Sequence, residues 1–441
     1  MVRYHLPVQL YFYSNMTNVP KKSSSISFYI FAVICLFCYI YQFNLDFLKL
    51  PFFNSSVQVS WVLMLIYAIV ISSLRNTHFN IKGFRTYSRW KKHVKYFVIL
   101  FLYSLFLIIV IGWGDGTNII LEVIKIFIYG ILMFWIWREM FGSIDEFLKI
   151  LLIVSIIQTL VVFYCLYDST FAFILDQTVN FNPTATHHVV TDLREGYAGG
   201  IGCISSHGLI KYALTGLFPC TYFCIKKKSI LYLILFIIMA FCASMIARTG
   251  LIFDAIFAIF IIIKRLRSSN LVSVVSLLVV VTVGIFALKS FFSSSTNEDF
   301  IEERFYRYEH LKDNRRDSFF ELYFHGPDTK YPPINQNTIL GVGVTSGTSA
   351  NGYEVNVDGG PMRQYSAIGL LGCILFYFFV MFNQAKTIAL LHNKDSRHLL
   401  CLLFLCLFIS EWKEITYMAL WPLMLFFFIS YLLQIEEGRN E

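Results

Sequence analysis

Long apolar runs recur along almost the whole chain, separated by short polar stretches. A helix of about 18 or more apolar residues is long enough to cross roughly 30 Å of hydrocarbon. Backbone polar groups cannot stay unpaired in lipid, so such spans must be helical. Twelve spans are expected, with boundaries to within a few residues, at about 26–43, 57–74, 96–113, 117–137, 147–167, 209–225, 229–247, 250–263, 270–288, 364–383, 398–411 and 416–434, the shortest of them below that length. The pattern predicts an all-α polytopic membrane protein, one integral membrane domain over residues 1–441. Composition agrees: 57% of residues are hydrophobic and only 15% charged, against about a quarter charged in a soluble domain.

Charge then orients the spans. Lys and Arg concentrate in the cytoplasmic loops of membrane proteins. With the N-terminus inside, the inner loops hold Arg75, Lys82, Arg85, Arg89, Lys91, Lys92 and Lys95, then Lys226–Lys228, the Lys264–Arg267 cluster, and Lys386, Lys394 and Arg397. The short outer segments hold little beyond Lys49, Arg194 and Lys413. Both termini are therefore expected in the cytoplasm, and the formal net charge of +8 reads as topology. Nucleic acid is not an expected partner. Lys21 and Lys22 precede the first span, but no small-residue cleavage site follows, so no cleavable signal is expected.

Two outer segments are longer than turns: a medium loop at 168–208 and a long one at 289–363. Loops of that length in a compact protein usually carry function. The inner side shows no P-loop, no dinucleotide fingerprint and no cytosolic domain. No cofactor is expected, and any chemistry belongs to the outer face. Most of the ten cysteines fall within spans, where they act as small apolar residues. Cys165 and Cys203 lie towards the outside and could pair in an oxidising compartment. His187, His188 and His207 lack zinc spacing, so no metal site is expected.

Within the long loop, NEDFIEERFYRYEHLKDNRRD has a helical period. Asp299, Glu302, Glu303, Glu309, Asp313 and Asp317 fall on one side, and Phe300, Ile301, Tyr308 and Leu311 on the other. Arg304, Arg307 and Arg315 share the apolar side, which suits a helix lying on a membrane surface above phosphates. A solvated helix with its arginines paired to nearby acids is the plainer alternative. Arg248 interrupts the apolar stretch MAFCASMIARTGLIFDAIFAIF. It either snorkels to the headgroups or faces inward and holds an anion.

The stretch RRDSFFELYFHGPDTKYPPINQNTILGVGVTSGTSANGYEVNVDGGPMRQYSAIGLLG runs from arginines through an aromatic-rich segment, GVG, a polar loop and a lone Asp to the opening AIGLLG of a span. This order resembles the Wzy-type O-antigen polymerases, of the superfamily shared with the O-antigen ligases. In ligases a His commonly sits just before the span; here Asp358 stands there beside Gly359 and Gly360, which favours the polymerase side. SMIARTGLI, LREGYAGGIGCISSHG and SEWKE add weaker likenesses, and the spacing from Arg194 to Gly208 departs from the family's usual form.

The resemblance implies a glycosyltransferase of lipopolysaccharide biosynthesis in the bacterial inner membrane. Its substrate would be an oligosaccharide repeat unit on undecaprenyl pyrophosphate, its setting membrane lipid, and a chain-length regulator a further partner. The sugar–pyrophosphate bond supplies the energy, and inversion by direct displacement needs one general base. Asp358 is the candidate base, with His325 and Glu411 as secondary candidates. Arg194, Arg248, Arg304, Arg307, Arg315 and Arg363 are the candidate pyrophosphate or substrate contacts, because guanidinium forks two hydrogen bonds to phosphate oxygens. A ligase, or a lipid-linked oligosaccharide flippase or other transporter, is the alternative.

Overall fold

The computed structural model describes residues 26–43, 45, 55–74, 132–179, 200–202, 205–246, 250–266, 339–341, 347–348, 354–355, 360–413 and 420–440, with scattered positions between 91 and 109. The helices are α1 (Ile26–Tyr41), α2 (Ser56–Leu74), α3 (Ile144–Tyr167), α4 (Ser169–Thr178), α5 (Ser205–Tyr212), α6 (Phe218–Lys226), α7 (Ile230–Ile246), α8 (Gly250–Leu266), α9 (Gly360–Ile388), α10 (Lys394–Lys413) and α11 (Leu420–Asn440). A five-residue π turn, Ala213–Leu217, joins α5 to α6. Two-residue strands β1 (Gly347–Thr348) and β2 (Glu354–Val355) pair antiparallel.

Four described helices are long and apolar enough to cross a membrane: Ser56–Ser73, Ile144–Cys165, Gly208–Lys226 and Gly360–Ile388. Helices Ile26–Tyr41 and Ile230–Ile246 are shorter and equally apolar. Each lies within a few residues of an expected span. Most of the expected span 117–137, all of 270–288 and the amphipathic stretch 297–317 lie outside the described residues.

The chain divides into two compact units, one of residues 1–23, 65–147 and 327–441, the other of 24–64 and 148–326. In the second unit, Ser56 ties the start of α2 to the end of α1. Its hydroxyl donates to Cys38 O (2.9 Å) and accepts from the Phe43 N–H (2.9 Å). The expected loop 168–208 opens with a helix, because Asp168 caps α4 by accepting from the N–H groups of Thr170 and Phe171 at 2.9 and 3.2 Å. Cys165 is a free thiol there, packed with Leu175, Val161, Phe171, Val179 and Ile201; Cys203 lies outside the described residues. Arg265 near the end of α8 donates to Cys224 O near the end of α6 (3.3 Å), so the lysine cluster after α6 and the Lys264–Arg265 pair share one end of the unit.

The π turn has a local cause. Pro219 has no N–H, and its ring crowds the carbonyl four residues back, at Thr215. The helix widens just ahead of it, and the Phe218 N–H bonds to Ala213 O instead. Such turns occur mostly as single bulges and often at functional sites.

The first unit has an aromatic core. Trp137 and Phe147 meet at 5.3 Å between ring centroids, and both meet Phe428 of α11 at 5.4 and 5.1 Å. At the turn between α9 and α10, the Glu437 carboxylate accepts from the N–H groups of His392 (2.9 Å) and Asn393 (3.1 Å), fastening the end of α11 there.

Candidate functional site

In the first unit the chemistry-bearing element is the start of α9. Within Gly360–Ile388 the helix breaks at Gly369, where φ is 70° and ψ 178°, a combination essentially confined to glycine. The result is a nine-residue stub, 360–368, set off from the long apolar segment behind it. Gly341, with φ of 88°, lies against the break. A Cβ on Gly341 would stand 2.7 Å from Ala367 O, and one on Gly369 would run into Ile339 O and Leu340 C. Gly341, the first residue of GVG, and Gly369 of AIGLLG therefore meet backbone to backbone. The Tyr103 hydroxyl donates to the carbonyls of Leu340 (3.3 Å) and Ile368 (3.2 Å) at this junction. A side chain thus serves backbone acceptors at a break in an apolar helix, as lipid surroundings require.

Arg363 sits on the stub, partly buried, followed by the polar run Gln364, Tyr365 and Ser366. Gln364 is fully buried and Ser366 is 2% exposed. Neither polar atom of Gln364, nor the hydroxyls of Tyr365 and Ser366, has a hydrogen-bond partner. Further along α9, the Tyr377 hydroxyl donates to Glu411 Oε1 at 2.6 Å, and Glu411, near the end of α10, is 2% exposed. A buried carboxyl must have a polar partner, and the phenol is one.

In the second unit, polar groups gather away from the cationic end. Lys211 is 8% exposed, and its Nζ donates to Gly202 O (2.9 Å) and Tyr41 O (3.3 Å). Gly202, with φ of 59°, lies so close to Tyr41 that no Cβ fits. Gln158 donates to Ile201 O (3.0 Å), and a Cβ on Gly200 would stand 2.6 Å from its Nε2. The tail of the Gly-rich segment is thus clamped between α1, α3 and α5. Beneath it, Tyr212 OH meets Thr159 Oγ1 at 2.5 Å. Asp254 of α8 lies within electrostatic reach of Cys242, and its buried Oδ1 has no hydrogen-bond partner. Gly250, which opens α8, lies against the backbone of Ala243 and Ser244.

Of the residues expected from sequence, Arg363 and Glu411 are described. Asp358, His325, Arg194, Arg248, Arg304, Arg307 and Arg315 lie outside the described residues. Sequence reasoning missed Asp254, Gln364, Ser366 and the Tyr377–Glu411 pair. Asp254 had a signal of its own, an acid inside an apolar span. Gln364 and Ser366 had none, because GPMRQYSAIGLLG reads as a polar flank running into a span. Among the described residues, no cluster of His, Cys, Asp and Glu could hold a metal ion.

No family model, no curated protein and no solved structure matches this chain. The fold itself defines the class: an α-helical membrane protein, with ionisable and polar side chains buried near the ends of its helices.

Proposed function

We propose that this protein polymerises lipid-linked oligosaccharide repeat units on the outer face of a bacterial inner membrane, as a Wzy-type polymerase. The chain would cross the membrane twelve times with both termini inside. The acceptor hydroxyl attacks the anomeric carbon of the donor sugar and gives its proton to Asp358. The bond from that carbon to the pyrophosphate oxygen breaks, and undecaprenyl pyrophosphate leaves with the bonding electrons. Arginines, Arg248 and Arg315 foremost, hold the departing diphosphate.

The observation that carries this reading is the distribution of polar groups within each unit. Lys211 and Asp254 lie towards the helix ends assigned to the outer side, and in their unit the Lys226–Lys228 and Lys264–Arg265 ends lie together opposite them. The stub of α9 and Glu411 near the end of α10 occupy helix ends that the expected topology assigns to the outer side. The motif order of the polymerase resemblance converges on that stub. Purified protein given lipid-linked repeat units should release polymer without any nucleotide, and only unextended units would overturn the proposal.

A transporter of lipid-linked oligosaccharide is the second reading, favoured by the broken helix α9 and by Lys211 and Asp254 in apolar helices. In sealed vesicles it would move the lipid-linked unit across the bilayer and leave its length unchanged.

A further inference from the structure

Three lysines in a row close α6. Lys226 is its last residue, Lys227 caps it and Lys228 follows in the turn to α7, and all three are exposed. The Arg265 bond to Cys224 O brings the end of α8, with Lys264, to the same place. Between Glu195 and Glu298 the chain has one acid, Asp254, which lies about 15 Å before Lys264 along α8. The sequence around this end therefore supplies cations without acids to match them.

Aromatic rings beside the cations set their depth. Phe223 and Tyr232 stack at 4.9 Å between centroids, and Lys227 Nζ lies 5.0 and 5.6 Å from those two rings. Lys264 Nζ lies 5.8 Å from the Phe260 ring, and Lys226 donates to the Tyr222 hydroxyl (2.8 Å). Rings next to snorkelling cations mark the headgroup level of a membrane protein. On the adjoining helices Ile230, Leu231, Ile234 and Ile263 are exposed, so apolar surface suited to acyl chains borders the charge. Positive charge in a loop can serve topology alone, and cations suit the negative end of a helix dipole. Neither explains a lysine at 228. Its φ is 52°, the left-handed conformation that glycine takes without strain just past a helix. A strained residue that is not glycine points to a function, and what lysine adds over glycine here is charge.

We infer that this basic end, through Lys227, Lys228 and Lys264, binds the headgroup of an anionic phospholipid. The phosphodiester supplies the negative charge, and an anionic membrane surface attracts each nearby Lys or Arg. The exposed apolar residues beside the cations favour a lipid over a soluble polyanion. The inference is independent of the polymerase proposal, since it needs neither Asp358 nor a sugar.

The test uses full-length protein in phosphatidylcholine nanodiscs, with phosphatidylglycerol as the anionic probe. Native mass spectrometry of the released protein, titrated with phosphatidylglycerol, gives its affinity. Lys228→Gly, which relaxes the backbone, should keep thermal stability while weakening binding about fivefold, the value of one cation near an anionic surface. Lys227→Gln, Lys228→Gly and Lys264→Gln combined should weaken it about a hundredfold. Lys386→Gln removes an exposed lysine that lies 5.4 Å from the Phe382 ring near the end of α9, and should leave binding unchanged. Hydrogen exchange on the unaltered protein should slow at 226–230 when phosphatidylglycerol replaces part of the phosphatidylcholine, a readout that needs no variant to fold. Equal affinity in the combined variant and the unaltered protein, or the same loss in Lys386→Gln as in Lys228→Gly, overturns the inference. So does an absence of protection at 226–230. Displacement of the lipid by millimolar inorganic phosphate would assign the surface to a soluble phosphate and overturn it as well.

Discussion

Glu411 and Lys211 show two ways in which this chain keeps an ionisable side chain out of water. The carboxyl takes its hydrogen bond from the Tyr377 phenol at 2.6 Å, and the amine donates to the backbone carbonyls of Gly202 and Tyr41. Removing one partner leaves the other buried without it, at a cost of about 1–3 kcal/mol. Tyr377→Phe should therefore lower the thermal stability of the purified protein. Lys211→Met should do likewise, releasing the 200–202 segment to faster hydrogen exchange. Catalysis separates from these structural roles. The proposal puts the base at Asp358, so Asp358→Asn should cut polymer formation by about 10²- to 10⁴-fold while the protein still binds its lipid donor. Glu411→Gln, which keeps an acceptor for the phenol, should still make polymer; loss of polymer there with normal product from Asp358→Asn would move the base to Glu411. Arg248→Ala should slow the reaction about ten- to a hundredfold, the value of a charge-assisted contact, with partial recovery in Arg248→Lys.

Among the elements, α9 departs furthest from an ordinary span. Gly369 combines a backbone conformation open to glycine with a neighbour, Ile339 O, that leaves no room for a methyl group. Gly369→Ala must strain the backbone by about 1–3 kcal/mol and also push the Gly341 segment away. It should fail to accumulate in the membrane, or should do so without activity. Gly372→Ala is the milder neighbour. A Cβ there meets only the Ile368 side chain, at 2.8 Å for its nearest atom, in ordinary helical backbone. Comparable membrane levels and comparable activity of the two variants would show that the break at Gly369 is dispensable. The π turn is the same lesson at smaller scale, since Pro219 announces a disturbance but leaves open whether the helix kinks, breaks or widens.

For the whole molecule the decisive measurement is topology. Reporters fused after Lys228 and after Arg267 should read cytoplasmic, and one fused after residue 330 should read periplasmic. A cytoplasmic signal at residue 330 would end the polymerase proposal, because the lipid-linked donor would stand on the other side of the membrane from Asp358.

The apolar period along the chain was enough by itself to predict helices over 26–43, 57–74, 147–167 and 229–247, because in lipid a backbone has few ways to pair its own N–H and C=O groups. The basic clusters at the ends of α6 and α8 are legible in the sequence, and the Arg265 bond to Cys224 O brings those two ends together. The Gly-rich character of 199–202 and of AIGLLG was visible too, but its use was not. Which backbone Gly202 would touch, and that Gly341 would cross Gly369, depend on segments roughly 160 and 28 positions apart in the chain. Tertiary structure also decided which polar side chains found partners. Lys211 found two carbonyls, Glu411 a phenol, and Gln364 none. Sequence fixes the donors and acceptors a residue carries, whereas the packing of distant elements decides which of them remain unpaired.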